Sequence, residues 1–321
     1  MASAENKIEV RALASSLDER DGAILHSLLE HKVLTTHQLR VLFFRSLRRC
    51  QHRLRELKEL EIVSSFPPPQ EFGKGRLPEH HFLTSLGRSV VAHLDGVPRD
   101  DLPWVPDETY RESKNLRHRM GVNAFFCSLA EASLSHDGHC LERWRPERKV
   151  RTRAGEIQPD GFGRYLHPGG ACEFYLEYDR ATEGITALAE KLRGYFRVAG
   201  GWGEGVQFPN VLVLVPTARR EREVARASTE AARASTKGAT LPVFVTNEDL
   251  LAVLGVLGAV WHPVGREQDR LDLTELPATD TGPYEMGRCL GQYWTEDGAW
   301  PRISPFSWAA RFPPGEPRRS G

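Results

Sequence analysis

No apolar run in the sequence approaches the ~18 residues needed to cross a bilayer, and MASAENKIEVRALAS at the N-terminus has neither the basic segment nor the apolar stretch and small-residue cleavage site of a secretory leader. No membrane partner is expected, and the cytoplasm is the expected compartment. Cysteine is sparse: Cys50, Cys127, Cys140, Cys172 and Cys289 lie far apart without a C-x-x-C pair, which speaks against a disulfide framework and a thiolate zinc site and leaves buried or idle thiols. His136, His139 and Cys140 do sit close together in SHDGHC, but Gly138 between two histidines reads as a turn rather than a metal knuckle. A G-x-x-x-x-G-K-[ST] loop is missing, and GGWGEG at 200–205 has neither the lysine nor the preceding strand, so an NTPase is not expected. Net charge is absent too: 43 Lys and Arg balance 43 Asp and Glu, so a nucleic-acid partner must be argued from where the charges lie.

At 321 residues the chain exceeds one ordinary core, which predicts about two domains. Residues 17–29 place Ile24, Leu25, Leu28 and Leu29 at helical spacing behind Asp18, an N-cap. After a short break, HQLRVLFF carries Leu39, Leu42 and Phe43 inward behind Thr35 or Thr36. Phe44-Arg45-Ser46 turns into a third helix, 46–60, with Leu47, Cys50, Leu54 and Leu57 on one face and a basic polar face. Strands at 62–66 and 80–84 follow, joined by PPPQEFGKGRLPE, and a helix at 85–94 closes the unit. This is the order of a winged helix-turn-helix, assigned to 1–98, with the Pro- and acid-rich 99–114 as linker.

Residues 115–265 read as a mixed α/β domain. A helix at 116–134 precedes β-like runs at 147–153, 155–165 and 174–177; a helix at 185–198, strand 211–216, helix 219–237, strand 241–246 and helix 248–255 follow. Alternating strands and helices imply a mixed sheet with helices on its faces. Residues 266–321 have no defensible periodicity and form an irregular C-terminal extension, expected to be partly disordered.

The third helix is the first candidate site. A recognition helix reaches base edges from its early residues while nearby cations and a wing hold phosphates. Arg45, Arg48, Arg49, His52 and Arg53 lie at its start together with Ser46 and Gln51, and Lys74 and Arg76 sit at the tip of the wing. A charge run often only solvates a helix, but between Arg40 and Lys58 the one acid is Glu56, where an ordinary solvated face mixes signs. Double-stranded DNA is the expected partner, and a homodimer reading two half-sites stays open.

The second candidate is acidic. Gln158-Pro159-Asp160-Gly161 and, past a hairpin turn at HPGGA, Leu176-Glu177-Tyr178-Asp179 place carboxylates at facing ends of adjacent strands. Asp160 and Glu177 can hold one Mg2+ or Mn2+, since such a cation takes one or two carboxylates with water and phosphate, polarises the phosphate and lowers the pKa of an attacking water. The plain alternative is that the acids terminate a sheet or pair with Arg180 and Lys191, with Thr182 capping the next helix. Tyr175, Tyr178 and Tyr195 are conceivable nucleophiles, but no H-x-H accompanies them, and core packing suits them better.

These residues resemble a family in two layers. Asp160 after Pro159, then Glu177 closing an apolar strand, resembles the PD-(D/E)xK nucleases, which implies a restriction-endonuclease-like fold, metal-binding acids and a lysine that helps orient the water. The winged helix, WRPE at 144–147, PDG at 159–161, LEYDRATEGITALAEKLRGY at 176–195 and GAVWHP at 258–263 resemble the replication-relaxation family of bacterial plasmids and integrative elements. That resemblance, over residues 17–265, implies a DNA-binding protein of a mobile element, acting in replication, relaxation or transfer with replication or conjugation proteins. Its second domain is then either a nickase or endonuclease, or a silent fold in an initiator or transcriptional regulator. One departure matters: the lysine expected two residues after Glu177 is Asp179. Lys191 on the next helix is the expected replacement, with Asp179 as a further ligand or the partner of Arg180 or Lys191, and Glu131 as an outer ligand.

Overall fold

The computed structural model describes residues 4–67, 78–103, 115–147, 150, 157–201, 207–234, 241–265 and 269–279, and the chain divides after Cys127 into two compact units. Lys74 and Arg76, most of the Pro-rich 99–114 segment, the glycine-rich 202–205 stretch and residues 280–321 lie outside the described residues.

The first unit opens with a helix the sequence reading did not anticipate, α1 (Ala4–Ser16). α2 (Glu19–His31) starts at Asp18, whose carboxylate accepts from the Asp21 amide at 2.8 Å while the Asp21 carboxylate accepts from the Asp18 amide at 3.0 Å. The reciprocal bonds satisfy amides that a helix start leaves without partners. β1 (Val33–Thr35), too short to register as a periodic run, occupies what reads as a plain break. Thr35 then caps α3 (Thr36–Phe43) by the same reciprocal device with Gln38, and Ser46 caps α4 (Leu47–Glu59). β2 (Val63–Phe66), β3 (His80–Leu83) and α5 (Ser85–Asp95) follow, and the strands form an antiparallel sheet in the order β1-β3-β2. Ile24, Leu25, Leu28, Leu39, Leu42, Cys50, Leu54, Leu57 and Val90 are buried, as the apolar spacing requires. Gly87 lets α5 approach the chain before β2, since a Cβ there would meet the Ile62 carbonyl oxygen at 2.1 Å. The first turns of the next helix, α6 (Leu116–Ser133), belong with this unit: Leu116 and Met120 pack with Val33, Phe66 and Phe82, and Asn123 Nδ2 donates to the Val33 carbonyl at 2.9 Å.

The second unit continues from α6 into a six-stranded sheet in the order β4-β5-β6-β7-β8-β9. β4 (Cys140–Pro146), β5 (Gly161–His167) and β6 (Gly170–Tyr178) are an antiparallel meander; β7 (Asn210–Val215) and β8 (Val243–Asn247) add parallel strands, and β9 (His262–Pro263) is an antiparallel edge. β4 lies earlier than the strand expected at 147–153, most of which is outside the described residues. α7 (Ile185–Ala199) and α8 (Ala218–Ala234) supply the crossovers into β7 and β8, and α9 (Glu248–Leu254) follows β8. Phe162, Tyr175, Val211, Val213, Val215, Val243 and Val245 form one core with Leu192, Tyr195 and Phe196 of α7 and Val224 of α8. Because side chains alternate along a strand, Glu177 lies on the same sheet face as Tyr175, toward α7. Gly163 is required beneath the Phe174 ring of the neighbouring strand, where a Cβ would lie 2.2 Å from Cζ.

Cys50, Cys127 and Cys172 are free and buried. The turn reading at Gly138 agrees with its backbone (φ +75°).

Arg53 is corrected by the fold. Its Nε donates to Asp21 Oδ1 at 2.7 Å, a second guanidinium nitrogen pairs with Asp21 Oδ2, and Nη1 donates to Glu56 at 2.7 Å. The Asp21 side chain is 0% exposed, so the fork neutralises a buried carboxylate and ties α4 to α2 instead of facing outward. Arg53→Ala should therefore cost about 3 kcal/mol or more in urea denaturation, the scale for an orphaned buried charge, whereas Arg49→Ala should stay within ~0.5 kcal/mol. Equal losses would refute the assignment.

Candidate functional site

Asp160, Glu177 and Lys191 meet at one point. Asp160 immediately precedes β5, and its amide donates to the Leu176 carbonyl at 3.0 Å, which holds it beside β6. Its Oδ2 accepts from the Tyr178 amide at 2.8 Å, leaving Oδ1 3.5 Å from the Lys191 ammonium. Glu177 lies near the end of β6 and is 2% exposed; its Oε2 pairs with Lys191 and its Oε1 accepts from the Tyr195 hydroxyl at 2.5 Å. Lys191 and Tyr195 are one helical turn apart on α7, so both reach the same carboxylate.

Burial pushes the Glu177 carboxyl up to about 8, and the nearby Asp160 charge adds to the rise; the Lys191 ammonium and Tyr195 hydroxyl oppose it. For Lys191, burial disfavours the charge but is outweighed by Glu177 and Asp160, so its pKa is raised and the ammonium is retained. Tyr195 is held neutral well above its ordinary range by burial and the adjoining carboxylate.

Asp179 does not join them. Its Oδ2 accepts from Arg220 Nε of α8 at 2.6 Å, and its Oδ1 accepts from the Ala181 amide at 2.9 Å. Its partner is thus Arg220, neither Arg180 nor Lys191, and it is not placed with Asp160 and Glu177, which both contact Lys191. Thr182 does not cap α7 either, which begins behind Gly184 without a side-chain cap. Glu131 is exposed on α6. Among the described residues no cluster of three or more His, Cys, Asp or Glu is arranged to hold a metal.

In the first unit, Arg45, Arg48, Arg49, Gln51, His52 and Arg55 are exposed on and just before α4, while Cys50, Leu54 and Leu57 face the core. His52 lies 3.5 Å from Glu56. With Arg53 turned inward, the outward basic set begins at Arg45 and runs through Arg48 and Arg49.

A family model described as replication-relaxation matches residues 25–211, more than half of the chain. The chain belongs to the replication-relaxation family. No curated protein and no solved structure matches it. The match takes in most of the first unit and the acid cluster through α7. Among the described residues of this replication-relaxation chain, no helix is long and apolar enough to cross a membrane.

Sequence reading weighed Tyr195 as a nucleophile or a core residue and missed its hydrogen bond to Glu177, and it missed Arg220, the partner of Asp179. The spacing of Tyr195 from Lys191 was a usable signal, because side chains four apart share a helix face. Arg220 had none, since only the parallel pairing of β6 with β7 brings α8 to Asp179.

With burial pushing Glu177 up from 4.5 to about 8, it holds its proton better folded than unfolded, and stability falls as pH rises between those values. Lys191→Met removes the main opposing charge and should carry that decline above pH 8, with a limiting slope of about 1.4 kcal/mol per pH unit. Denaturation midpoints across alkaline pH check this; identical wild-type and variant profiles would contradict the coupling.

Proposed function

We propose that this replication-relaxation protein is a DNA-binding protein of a mobile element that nicks or cleaves DNA with a divalent cation, using α4 to find the site and the Asp160, Glu177 and Lys191 centre to act. The observation that carries the reading is Lys191: it reaches both carboxylates from a helix, supplying the positive charge missing two residues after Glu177. The surroundings agree with the resemblance to PD-(D/E)xK nucleases, with one acid before β5, the other near the end of β6, and the sheet carrying helices.

The donor set suits Mg2+ or Mn2+ in number and type. Asp160 Oδ1 and Glu177 Oε2 converge on a point where a cation, the Lys191 ammonium, already sits. Those two residues would hold the metal, with water completing its shell. Once bound, it would supply polarisation of the scissile phosphate and a water of lowered pKa. The chain's own groups do the rest: the Tyr178 amide orients Asp160, the Tyr195 hydroxyl fixes Glu177, and Lys191 offers its charge to the phosphate or the attacking oxygen.

For the DNA side, the support is an exposed basic face on the third helix of a helix–helix–basic helix–hairpin order, followed by α5, as in a winged helix. Arg48 and Arg49 sit in its first turn, where base contacts are made. Arg49→Glu should abolish most affinity for duplex DNA in a gel-shift assay at moderate salt; unchanged binding would show that another face is used.

A second reading rests on one specific observation. Both oxygens of Glu177 are engaged and the residue is 2% exposed, which suits a silent nuclease fold in an initiator or regulator. Supercoiled plasmid incubated with Mg2+ or Mn2+ separates the two. The enzyme reading expects conversion to open-circle or linear DNA that Glu177→Ala abolishes. Retardation without cleavage in either metal would favour the silent fold.

A further inference from the structure

Beside the outward basic set of α4 lies a hollow of about 550 Å3, enclosed by the first turn of α3, one flank of α4 and the chain entering β3. Its walls are of two kinds. Leu47, Leu54 and Pro78 give an apolar side, and Arg55, Lys58 and Gln51 give a polar side along α4.

The charges within it are not equivalent. Lys58 Nζ donates to Ser65 Oγ at 2.7 Å and lies 3.3 Å from Glu79 Oε2, and Ser65 Oγ donates to that same oxygen at 2.8 Å. Glu79 is therefore neutralised within the wall, and its pKa is lowered by the Ser65 hydrogen bond and the Lys58 charge. Arg55 is exposed, lines the hollow and makes no ion pair among the described residues. His37, exposed on the first turn of α3, faces the same space.

We infer that this hollow seats one sugar–phosphate unit of the DNA backbone, with Arg55 as the principal phosphate ligand and Gln51 and His37 as supporting donors. The inference rests on the DNA-binding reading of α4 and assigns a division of labour along that helix. A phosphodiester needs an uncommitted cation with several donors in a planar fork, which a guanidinium supplies. A deoxyribose needs an apolar wall beside that cation, which Leu47 and Leu54 supply. The volume exceeds what a bare phosphate fills, and a hollow lined by hydrophobic side chains alone would not draw an anion. Arg48 and Arg49 do not line the hollow and are left to meet base edges, whereas contacts from within it position the duplex without reading sequence.

The test is the salt dependence of binding, measured by fluorescence anisotropy with the full chain and a labelled mixed-sequence duplex. Loss of one phosphate contact lowers the slope of log affinity against log salt by about 0.9. Arg55→Ala should show that drop and weaken binding to different duplex sequences by the same factor, and Arg55→Lys, which keeps the charge, should recover most of the slope. Circular dichroism establishes that the variants are folded, and Arg55 is exposed and makes no ion pair among the described residues, so no fold defect is expected. A folded Arg55→Ala protein with the wild-type slope would overturn the phosphate seat while leaving DNA binding by α4 intact. A wild-type chain with no salt-dependent binding would overturn the DNA reading of α4 and this inference with it.

Discussion

A carboxylate placed on the core side of a sheet must be neutralised or it unfolds the protein around it, and Glu177 is that carboxylate. The side-chain alternation of β6 points it in the same direction as Tyr175, into the layer between the strands and α7. Lys191 and Tyr195 answer from that helix, one turn apart, and this fixes how α7 sits along β6. The same ammonium draws in Asp160, which is already stitched to β6 through its own amide and that of Tyr178. The acid–lysine cluster is thus also a structural joint between α7 and the sheet.

The device recurs along the neighbouring strand ends. Asp179 at the end of β6 holds Arg220 of α8, and Glu221 beside it accepts from Asn247 Nδ2 at 2.5 Å and from Arg270 at 2.6 Å. Each pairing anchors a helix or connecting segment to the sheet through a carboxylate that would otherwise be costly to bury. Asp179, unlike Asp160 and Glu177, pairs with Arg220 rather than with Lys191, which sets it apart from the acid–lysine cluster.

The first unit is governed by the same rule applied to a helix. Asp21 at the start of α2 is buried, and Arg53 turns inward to meet it. α4 is held by that fork and by Cys50, Leu54 and Leu57, and its other basic residues are thereby aimed outward. One arginine taken from the charge run fixes the presentation of the rest.

Much of this was legible in the residues themselves. Asp18, Thr35 and Ser46 marked helix starts because a side-chain oxygen followed by an apolar period satisfies local amides, and local hydrogen bonds depend only on near neighbours. The apolar periods of α2, α4 and α7 and the runs that became β6, β7 and β8 were equally local. Asp160, Glu177 and Lys191 were singled out from the sequence and do meet in the structure, whereas Arg53 was read with the outward basic face. β1 and β9 were not legible, because strands this short exist only through their pairing with β3 and β8. What the sequence determined alone was most of the longer elements, the family and the location of the charges. Which charges face each other, Asp179 with Arg220, Asp21 with Arg53, Glu177 with Lys191 and Tyr195, was decided only by tertiary structure, because the energy of a buried ion pair depends on a partner brought from far along the chain.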